Sequence, residues 1–473
     1  LMREKIGMTR TRRALVAGAS VLVLAGLGGG YVAANVADRV PGPFTTAEPW
    51  PEADPFPTPA PLAPAPVPLV LPDINASAAI PTTAGLQPAL DALRAAPDVG
   101  TPAGVVVIDV ASGETLIGAD ADLVRTPAST TKMLTAAAAI TTLDLDSTLP
   151  TTTVLAGANE LYLVGGGDMD LAAGAGDPAA VRGRAGLGDL AAATAADLAS
   201  RGITSVTLRV DDSLFTGPGR PAAGWEDSYF YSGFVAPIQP LAVNIGLIEG
   251  RLQRDTDPAM GAATTFAAAL TAAGITVEQG PSRGIAPADA APIARVESAP
   301  LRDVLDLAMV ESSNTLTEVF GRLVAIGRGQ EPTFEGATTA VLEAVASLGV
   351  DVSGTVLTDT SGLSLSNRIS PRLLAELAAL SVSDPAMRPL LISLPVSGLE
   401  GTLLERGIAP GLVRAKTGTL LRVVSLAGVT TTADGRLVAF SVMADGVPAG
   451  GAYLARLEVD EWVNSLTSFT AAG

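Results

Sequence analysis

Ser129-Thr130-Thr131-Lys132 is the stretch from which the fold and the chemistry of this chain can be worked out. It follows the extended tripeptide Thr126-Pro127-Ala128 and leads into an alanine-rich apolar segment that runs to Ile140. A polar start before such a segment predicts a helix that begins at Ser129. Residues i and i+3 share one face of a helix, so the amine of Lys132 is predicted to reach the hydroxyl of Ser129.

Lysine is rare in this chain. It occurs only as Lys5, Lys132 and Lys416, whereas lysine and arginine together number 30. Lys416 opens a second compact motif, Lys416-Thr417-Gly418-Thr419. Arginine keeps its charge at any accessible pH, so it cannot replace a lysine that must give up a proton. The distribution therefore indicates that Lys132 and Lys416 take part in chemistry.

The residue types that the chain lacks narrow the choice of mechanism. It contains no histidine and no cysteine. A Ser-His-Asp triad, a histidine-ligated metal site, a thiol nucleophile and a disulfide are therefore excluded. A general base must be a lysine, a tyrosine or a carboxylate, and a serine–lysine hydrolase that needs neither metal nor cofactor is the predicted class.

The length and net charge of the chain limit the number of domains and the kinds of partner. The chain has 473 residues, enough for two or three domains, and its net charge of −18 argues against nucleic acid as a partner. Basic residues precede an apolar run over 14–37, which predicts export, with residues 1–37 as a cleaved signal peptide or a retained membrane anchor. Residues 38–80 are proline-rich and predict a semi-rigid linker.

The rest of the chain predicts an α/β (α+β) protein. Strands are expected at both ends of the body, at 104–110 and 114–118 and again at 423–430 and 437–443, with helices between them. This order predicts an antiparallel sheet closed by the two ends of the body and flanked by helices. We expect a discontinuous catalytic domain of residues 81–146 plus 292–473, with a second domain of residues 147–291 inserted between its halves.

A third motif, Ser312-Ser313-Asn314, lies between the two lysine motifs. Taken singly, Ser129 also suits a helix N-cap, Ser312 and Asn314 a local turn, and Lys416 a surface charge. Together, the order Ser-x-x-Lys, Ser-x-Asn, Lys-Thr-Gly resembles the signature of penicillin-binding proteins and serine β-lactamases.

The gap of 183 positions between the first two motifs (312 − 129) is more selective. It resembles the low-molecular-mass class C penicillin-binding proteins, which are D-alanyl-D-alanine carboxypeptidases and endopeptidases with extra domains inserted there. The stretches 161–168, 359–364 and 394–402 are similar to that family as well. The resemblance implies a penicillin-recognising, transpeptidase-like domain that acts on peptidoglycan stem peptides ending in D-Ala-D-Ala and takes β-lactams as covalent inhibitors.

The resemblance also implies roles for the motif residues. Ser129 would attack the carbonyl of the penultimate D-alanine, with Lys132 as the base or with a route through Ser312 and Lys416 instead. Ser312 would pass a proton to the leaving amine, and Asn314 would orient Lys132 and the substrate amide.

The Lys416 motif would bind the substrate. Lys416 would supply positive potential, and the hydroxyls of Thr417 and Thr419, on either side of Gly418, would hold the terminal carboxylate. The backbone N–H groups of Ser129 and Thr419 would form the oxyanion hole.

Some alternatives stay open on the sequence. A β-lactamase is one, although the chain has no Glu-x-x-Leu-Asn string. A non-catalytic wall-binding module is another, and the balance between carboxypeptidase and endopeptidase is not decided. Only a short connection follows Asn244, so the small third domain of many family members is predicted to be missing.

Overall fold

The computed structural model describes residues 29–37, 39–40, 43, 75–221 and 224–471. The chain divides into two units, Leu1–Pro72 and Asp73–Gly473. In the first unit a helical segment covers 29–36. Residues 1–28 of the predicted signal peptide or anchor and most of the proline-rich linker, including 44–74, lie outside the described residues. Within the described ranges, no helix has both the length and the apolar character needed to cross a membrane.

The second unit alternates strands and helices. In chain order its strands are β1 (Gly104–Asp109), β2 (Thr115–Ala119), β3 (Pro150–Ala156), β4 (Glu160–Gly165), β5 (Asp168–Leu171), β6 (Ser205–Asp211), β7 (Leu241–Val243), β8 (Thr276–Val277), β9 (Ser282–Arg283), β10 (Ala291–Glu297), β11 (Val413–Leu420), β12 (Val423–Thr431) and β13 (Leu437–Ala444). Its helices are α1 (Thr83–Ala95), α2 (Lys132–Thr142), α3 (Leu187–Ser200), α4 (Asp227–Tyr231), α5 (Pro258–Ala272), α6 (Leu301–Val310), α7 (Asn314–Gly327), α8 (Phe334–Ala346), α9 (Pro371–Ser383), α10 (Arg388–Ser393) and α11 (Ala452–Thr467).

The main sheet is antiparallel, with the strand order β11-β12-β13-β1-β2. Strands from the two ends of the body meet where β1 pairs with β13. The predicted closure of one sheet by both ends of the body, with helices on its faces, is therefore confirmed. β11 lies at one edge of this sheet, and the first half of its outer side is bridged to the segment 395–397 through Val396 and Arg414.

Helices cover both faces of the main sheet, which explains why its strands β1, β12 and β13 are mostly apolar. Successive side chains of a strand point to opposite faces. Accordingly, Val106 and Ile108 join a core formed with α2 and α6 to α10, whereas Val105 and Val107 join a core formed with α1 and α11.

A second sheet follows α2 in the chain, with the order β10-β3-β4-β6-β8 and both parallel and antiparallel pairs. Helices α3 and α5 pack on it around a separate apolar core. This sheet spans Pro150 to Glu297, so β10 continues past the predicted boundary at residue 291. The division of the body into two domains at 146 and 291 stays a prediction. Residues 244–257 connect β7 to α5 through the 3₁₀ turn Asn244–Gly246 and an isolated bridge.

Candidate active site

The predicted nucleophile lies on a tight turn instead of the first turn of an α-helix. Residues Ala128–Thr131 form a 3₁₀ turn, and α2 begins at Lys132. The hydroxyls of Thr130 and Thr131 donate hydrogen bonds to the carbonyls of Pro127 and Ala128, at 2.7 and 2.9 Å. These local side-chain bonds stabilise a 3₁₀ turn, so the helical segment starts as predicted near Ser129 but takes α-helical form only from Lys132.

This turn is held in a strained conformation by a neighbouring loop. Ala128 has a φ of +51°, a region that residues other than glycine rarely adopt. A Cβ on Gly362 would lie 1.8 Å from the carbonyl oxygen of Ala128, so only glycine permits this contact. The loop that contains Gly362 therefore packs against the backbone of Ala128, the residue before the nucleophile.

Lys132 is completely buried and makes three hydrogen bonds. Its Nζ lies 3.0 Å from Ser129 Oγ, 2.6 Å from Asn314 Oδ1 and 2.7 Å from the carbonyl oxygen of Ser361. Burial lowers the pKa of Lys132 to about 7, although the charges of Asp359 and Glu318 oppose that shift. The neutral amine is thus well populated at neutral pH.

The second motif occupies the start of α7. Ser312 has a φ of +56°, and Ser313 caps the helix by accepting a hydrogen bond from the N–H of Leu316. Asn314 donates from Nδ2 to the carbonyl of Phe234 at 2.9 Å. This bond orients the amide so that its oxygen accepts from Lys132.

The third motif lies on the edge strand β11. Lys416, which is also completely buried, donates from Nζ to Ser312 Oγ at 2.9 Å and to the carbonyl of Thr417 at 3.1 Å. Burial lowers the pKa of Lys416 well below its usual value, and the nearby charge of Lys132 lowers it further. The structure therefore places the five predicted residues in two hydrogen-bonded sets, Ser129–Lys132–Asn314 and Ser312–Lys416, and both serines line one cavity.

The outer side of β11 offers backbone donors. The N–H groups of Val413 and Ala415 point away from β12, since they donate to Ser397 Oγ at 3.2 Å and to the Pro395 carbonyl at 3.1 Å. This direction repeats every second residue of an antiparallel strand, so the N–H groups of Thr417 and Thr419 also face outward. That orientation is the one that an oxyanion donor at Thr419 needs.

Gly418 sets the distance between β11 and the nucleophile turn. A Cβ at this position would lie 2.2 Å from Ser425 Oγ, 2.7 Å from the Pro127 carbonyl oxygen and 3.1 Å from Ser129 N. Strand and turn can therefore approach this closely only with glycine here.

Gly418→Ala is expected to slow acylation by a penicillin about 100-fold or more, because the turn and strand must separate at the reacting centre. The unfolding free energy should fall by about 1–3 kcal/mol. Stopped-flow acylation and denaturant unfolding check both effects. Gly280→Ala is the matched control, since a Cβ there meets nothing within 4 Å. If Gly418→Ala were acylated as fast as the wild type, the close approach of β11 to the turn at Ser129 would not matter for the reaction.

The motif residues open onto a cavity of about 340 Å³. Its lining residues are Ser129, Ser312, Thr402, Arg406, Thr417, Thr419 and Arg456. Thr417 lies against Thr402, with 2.8 Å between their hydroxyl oxygens. The cavity thus contains the nucleophile, the Ser312 hydroxyl and both predicted carboxylate-binding threonines. No group of three or more acidic side chains in the described parts of the chain is placed to hold a metal ion.

Glu318, which the sequence analysis does not identify, is a buried carboxylate that holds the loop beside Lys132. Glu318 accepts hydrogen bonds from the backbone N–H groups of Thr360 and Ser361, at 3.0 and 2.8 Å. Burial, followed by the charge of Asp359, raises the pKa of Glu318 to about 7. By holding this loop, Glu318 places the Ser361 carbonyl against Lys132.

A signal for Glu318 was present in the sequence. Asn314, Glu318 and Arg322 recur every four residues on the otherwise apolar helix α7, so they share one face. Polar residues on a buried helix face indicate a hydrogen-bonded network.

Sequence comparison relates this chain to proteins that are named as carboxypeptidases. The family model described as "D-Ala-D-Ala carboxypeptidase 3 (S13) family" matches residues 86–256 and 250–466. A carboxypeptidase of Mycobacterium tuberculosis is 37% identical over 393 residues, which cover 79% of this chain and 83% of the relative. A D-alanyl-D-alanine carboxypeptidase of Actinomadura sp. is 28% identical over 76% of this chain and 81% of the relative.

A solved structure resembles the fold. The crystal structure of penicillin-binding protein 4 from Haemophilus influenzae matches with a TM-score of 0.67 and 22% sequence identity. The match covers 81% of this chain and 99% of that one. This likeness shows that the two chains share a fold.

Proposed function

The chain belongs to the D-Ala-D-Ala carboxypeptidase 3 (S13) family, and we propose that it hydrolyses the terminal peptide bond of peptidoglycan stem peptides through an acyl-enzyme on Ser129. It is a serine-type D-Ala-D-Ala carboxypeptidase, and relatives that it resembles are named as a carboxypeptidase and as a D-alanyl-D-alanine carboxypeptidase. The observation that carries the mechanism is the 3.0 Å contact between Lys132 Nζ and Ser129 Oγ.

The other two partners of Lys132 decide the direction of proton transfer. Asn314 Oδ1 and the Ser361 carbonyl can only accept hydrogen bonds. A neutral lysine amine has two N–H groups and one lone pair. When both N–H groups donate to these acceptors, the lone pair is directed at the Ser129 hydroxyl. Lys132 then serves as the general base, which favours it over the route through Ser312 and Lys416.

Acylation follows from this arrangement. Lys132 removes the Ser129 proton as Oγ bonds to the carbonyl carbon of the penultimate D-alanine, and the backbone N–H groups of Ser129 and Thr419 stabilise the negative charge on its oxygen. Ser312 donates its hydroxyl proton to the departing amine and regains one from Lys416, 2.9 Å away. The C–N bond breaks, and terminal D-alanine leaves with a neutral amine.

Deacylation uses the same groups in reverse. Lys132 first releases the proton it gained to solvent, and Lys416 takes one up from solvent, so that both amines return to their starting charge. Lys132 then takes a proton from a water molecule, whose oxygen attacks the Ser129 ester. Lys132 returns that proton to Ser129 Oγ as the ester bond breaks, and the new carboxyl group of the peptide loses the second proton of the water to solvent. The hydroxyls of Thr417 and Thr419 hold the carboxylate of the leaving residue throughout acylation. β-Lactams enter the same cavity, and their opened ring remains on Ser129 as a covalent ester.

We also propose that the protein acts outside the cytoplasm. The stem peptide is a cell-wall component, and a basic segment followed by an apolar run over 14–37 is typical of exported proteins. Release of a cleaved product and retention by an anchor are both compatible with that segment.

Two peptide substrates test the proposal. The full chain is expected to release D-alanine from a pentapeptide stem, as a carboxypeptidase, and hydrolysis of a cross-linked stem-peptide dimer to monomers would add endopeptidase activity. Chromatography of both digests measures the two rates. A protein that releases no D-alanine from the pentapeptide contradicts the proposed function.

A fluorescent penicillin separates the remaining alternatives. A carboxypeptidase should keep the penicillin label for much longer than it needs to hydrolyse one peptide substrate. A β-lactamase would release hydrolysed penicillin rapidly, and a non-catalytic wall-binding module would take up no label.

A further inference from the structure

Two arginines outside the three motifs line the active-site cavity. Arg406 and Arg456 lie on its wall together with Thr402, Thr417 and Thr419. Arg456 belongs to α11, far along the chain from the nucleophile. The two guanidinium groups differ in their partners, and this difference suggests a function for one of them.

The charge of Arg406 is already balanced. Its Nε donates to Asp460 Oδ2 at 3.1 Å and its Nη2 donates to Asp460 Oδ1, and the two side chains are only 4% and 5% exposed. In this buried bidentate pair, two N–H groups of the Arg406 guanidinium bind both oxygens of the Asp460 carboxylate. Arg406 therefore has a structural partner.

Arg456 lacks an equivalent partner. Its guanidinium carbon lies 4.9 Å from the centre of the Tyr453 ring. Its Nε is buried without a hydrogen-bond partner, and among the described residues no carboxylate forms an ion pair with it. Asp460, one helical turn away, is bound to Arg406. The three side chains thus carry two positive charges and one negative charge, and the excess positive charge faces the cavity.

This excess is unusual in a chain whose net charge is −18. A planar guanidinium with unused donors is suited to bind a carboxylate. It lines the same cavity as Thr417 and Thr419, whose hydroxyls the mechanism assigns to the carboxylate of the leaving residue.

We propose that Arg456 binds the free carboxylate of the leaving residue together with Thr417 and Thr419, and thereby selects substrates that carry a carboxylate next to the leaving amine. The inference rests on the D-Ala-D-Ala carboxypeptidase activity. The Tyr453 ring covers one face of the Arg456 guanidinium, and the side chain lines the cavity. A substrate whose terminal carboxylate is amidated offers no anion to this group.

A pair of peptides isolates this interaction. The full chain and its Arg456→Met and Arg456→Lys variants are assayed on an N-acylated peptide ending in D-Ala-D-Ala and on the same peptide with a C-terminal amide. Arg456→Met should lower kcat/KM for the acid about 10-fold to 100-fold, mainly through KM, and leave kcat/KM for the amide unchanged. Arg456→Lys keeps the charge without the fork and should fall between wild type and Arg456→Met.

Arg201→Met is the matched control, because Arg201 directly follows the last residue of α3 and pairs with Asp197 on the surface. It should behave as wild type on both peptides. Equal losses on acid and amide in Arg456→Met would indicate a structural role and overturn the inference, as would an unchanged acid-to-amide preference. A wild-type chain that cleaves neither peptide overturns the carboxypeptidase assignment itself, and the inference with it.

Discussion

Ser129→Ala is expected to lower kcat for D-alanine release by about 10⁴-fold to 10⁶-fold, which is the largest effect of any single substitution in this site. No other hydroxyl lies within hydrogen-bonding distance of Lys132 Nζ in the described structure, so the base would have no oxygen to activate. The loss concerns the chemical step alone, because the methyl side chain of alanine fits the same turn.

Release of D-alanine from a stem pentapeptide over long incubations measures this loss. Ser383→Ala is the matched control, since Ser383 is an exposed residue at the end of α9. Both variants should unfold at the wild-type temperature. Residual kcat within 10-fold of wild type in Ser129→Ala would show that another residue is the nucleophile.

The second large effect is expected at Lys132. Lys132→Met removes the base and should slow acylation about 10²-fold to 10⁴-fold. Lys132→Arg keeps the positive charge but cannot deprotonate, so it should be nearly as slow. If Lys132 served only as a positive charge, Lys132→Arg would retain most of the activity. Stopped-flow measurement of penicillin acylation distinguishes these outcomes.

The pH dependence provides an independent test of the same role. Burial lowers the pKa of Lys132 to about 7, and the base is the neutral amine. Below that pKa the amine is protonated, so wild-type acylation should fall roughly 10-fold for each pH unit below about 7. At higher pH it should fall again once Lys416, whose pKa burial also lowers, no longer holds the proton that it gives to Ser312. In Lys132→Met the acylation rate should not show this fall below pH 7. A wild-type rate that rises towards low pH would contradict the assignment of Lys132 as the base.

Much of the fold could be predicted because its determinants are local. The apolar runs of β1, β12 and β13 specify strands buried on both faces, and their positions at the two ends of the body predict that they pair. The 3₁₀ form of the turn at Ser129 could not be predicted, because it depends on threonine hydroxyls and on contact with Gly362 from a distant loop.

The site was predictable only in part, for a similar reason. The three motifs name the groups that react, and their compact spacing makes them visible in one sequence. Arg456 belongs to no motif and is indistinguishable there from a surface charge on an amphipathic helix. Its place on the cavity wall arises only when α11 packs against the main sheet.

The mass of the full chain after incubation with benzylpenicillin, followed by peptide mapping, decides whether Ser129 is the nucleophile. We expect one added penicillin per chain, attached to the peptide that contains Ser129 and absent in Ser129→Ala. An adduct on a different residue, or a wild-type chain whose mass does not change, would contradict the assignment of Ser129 as the nucleophile.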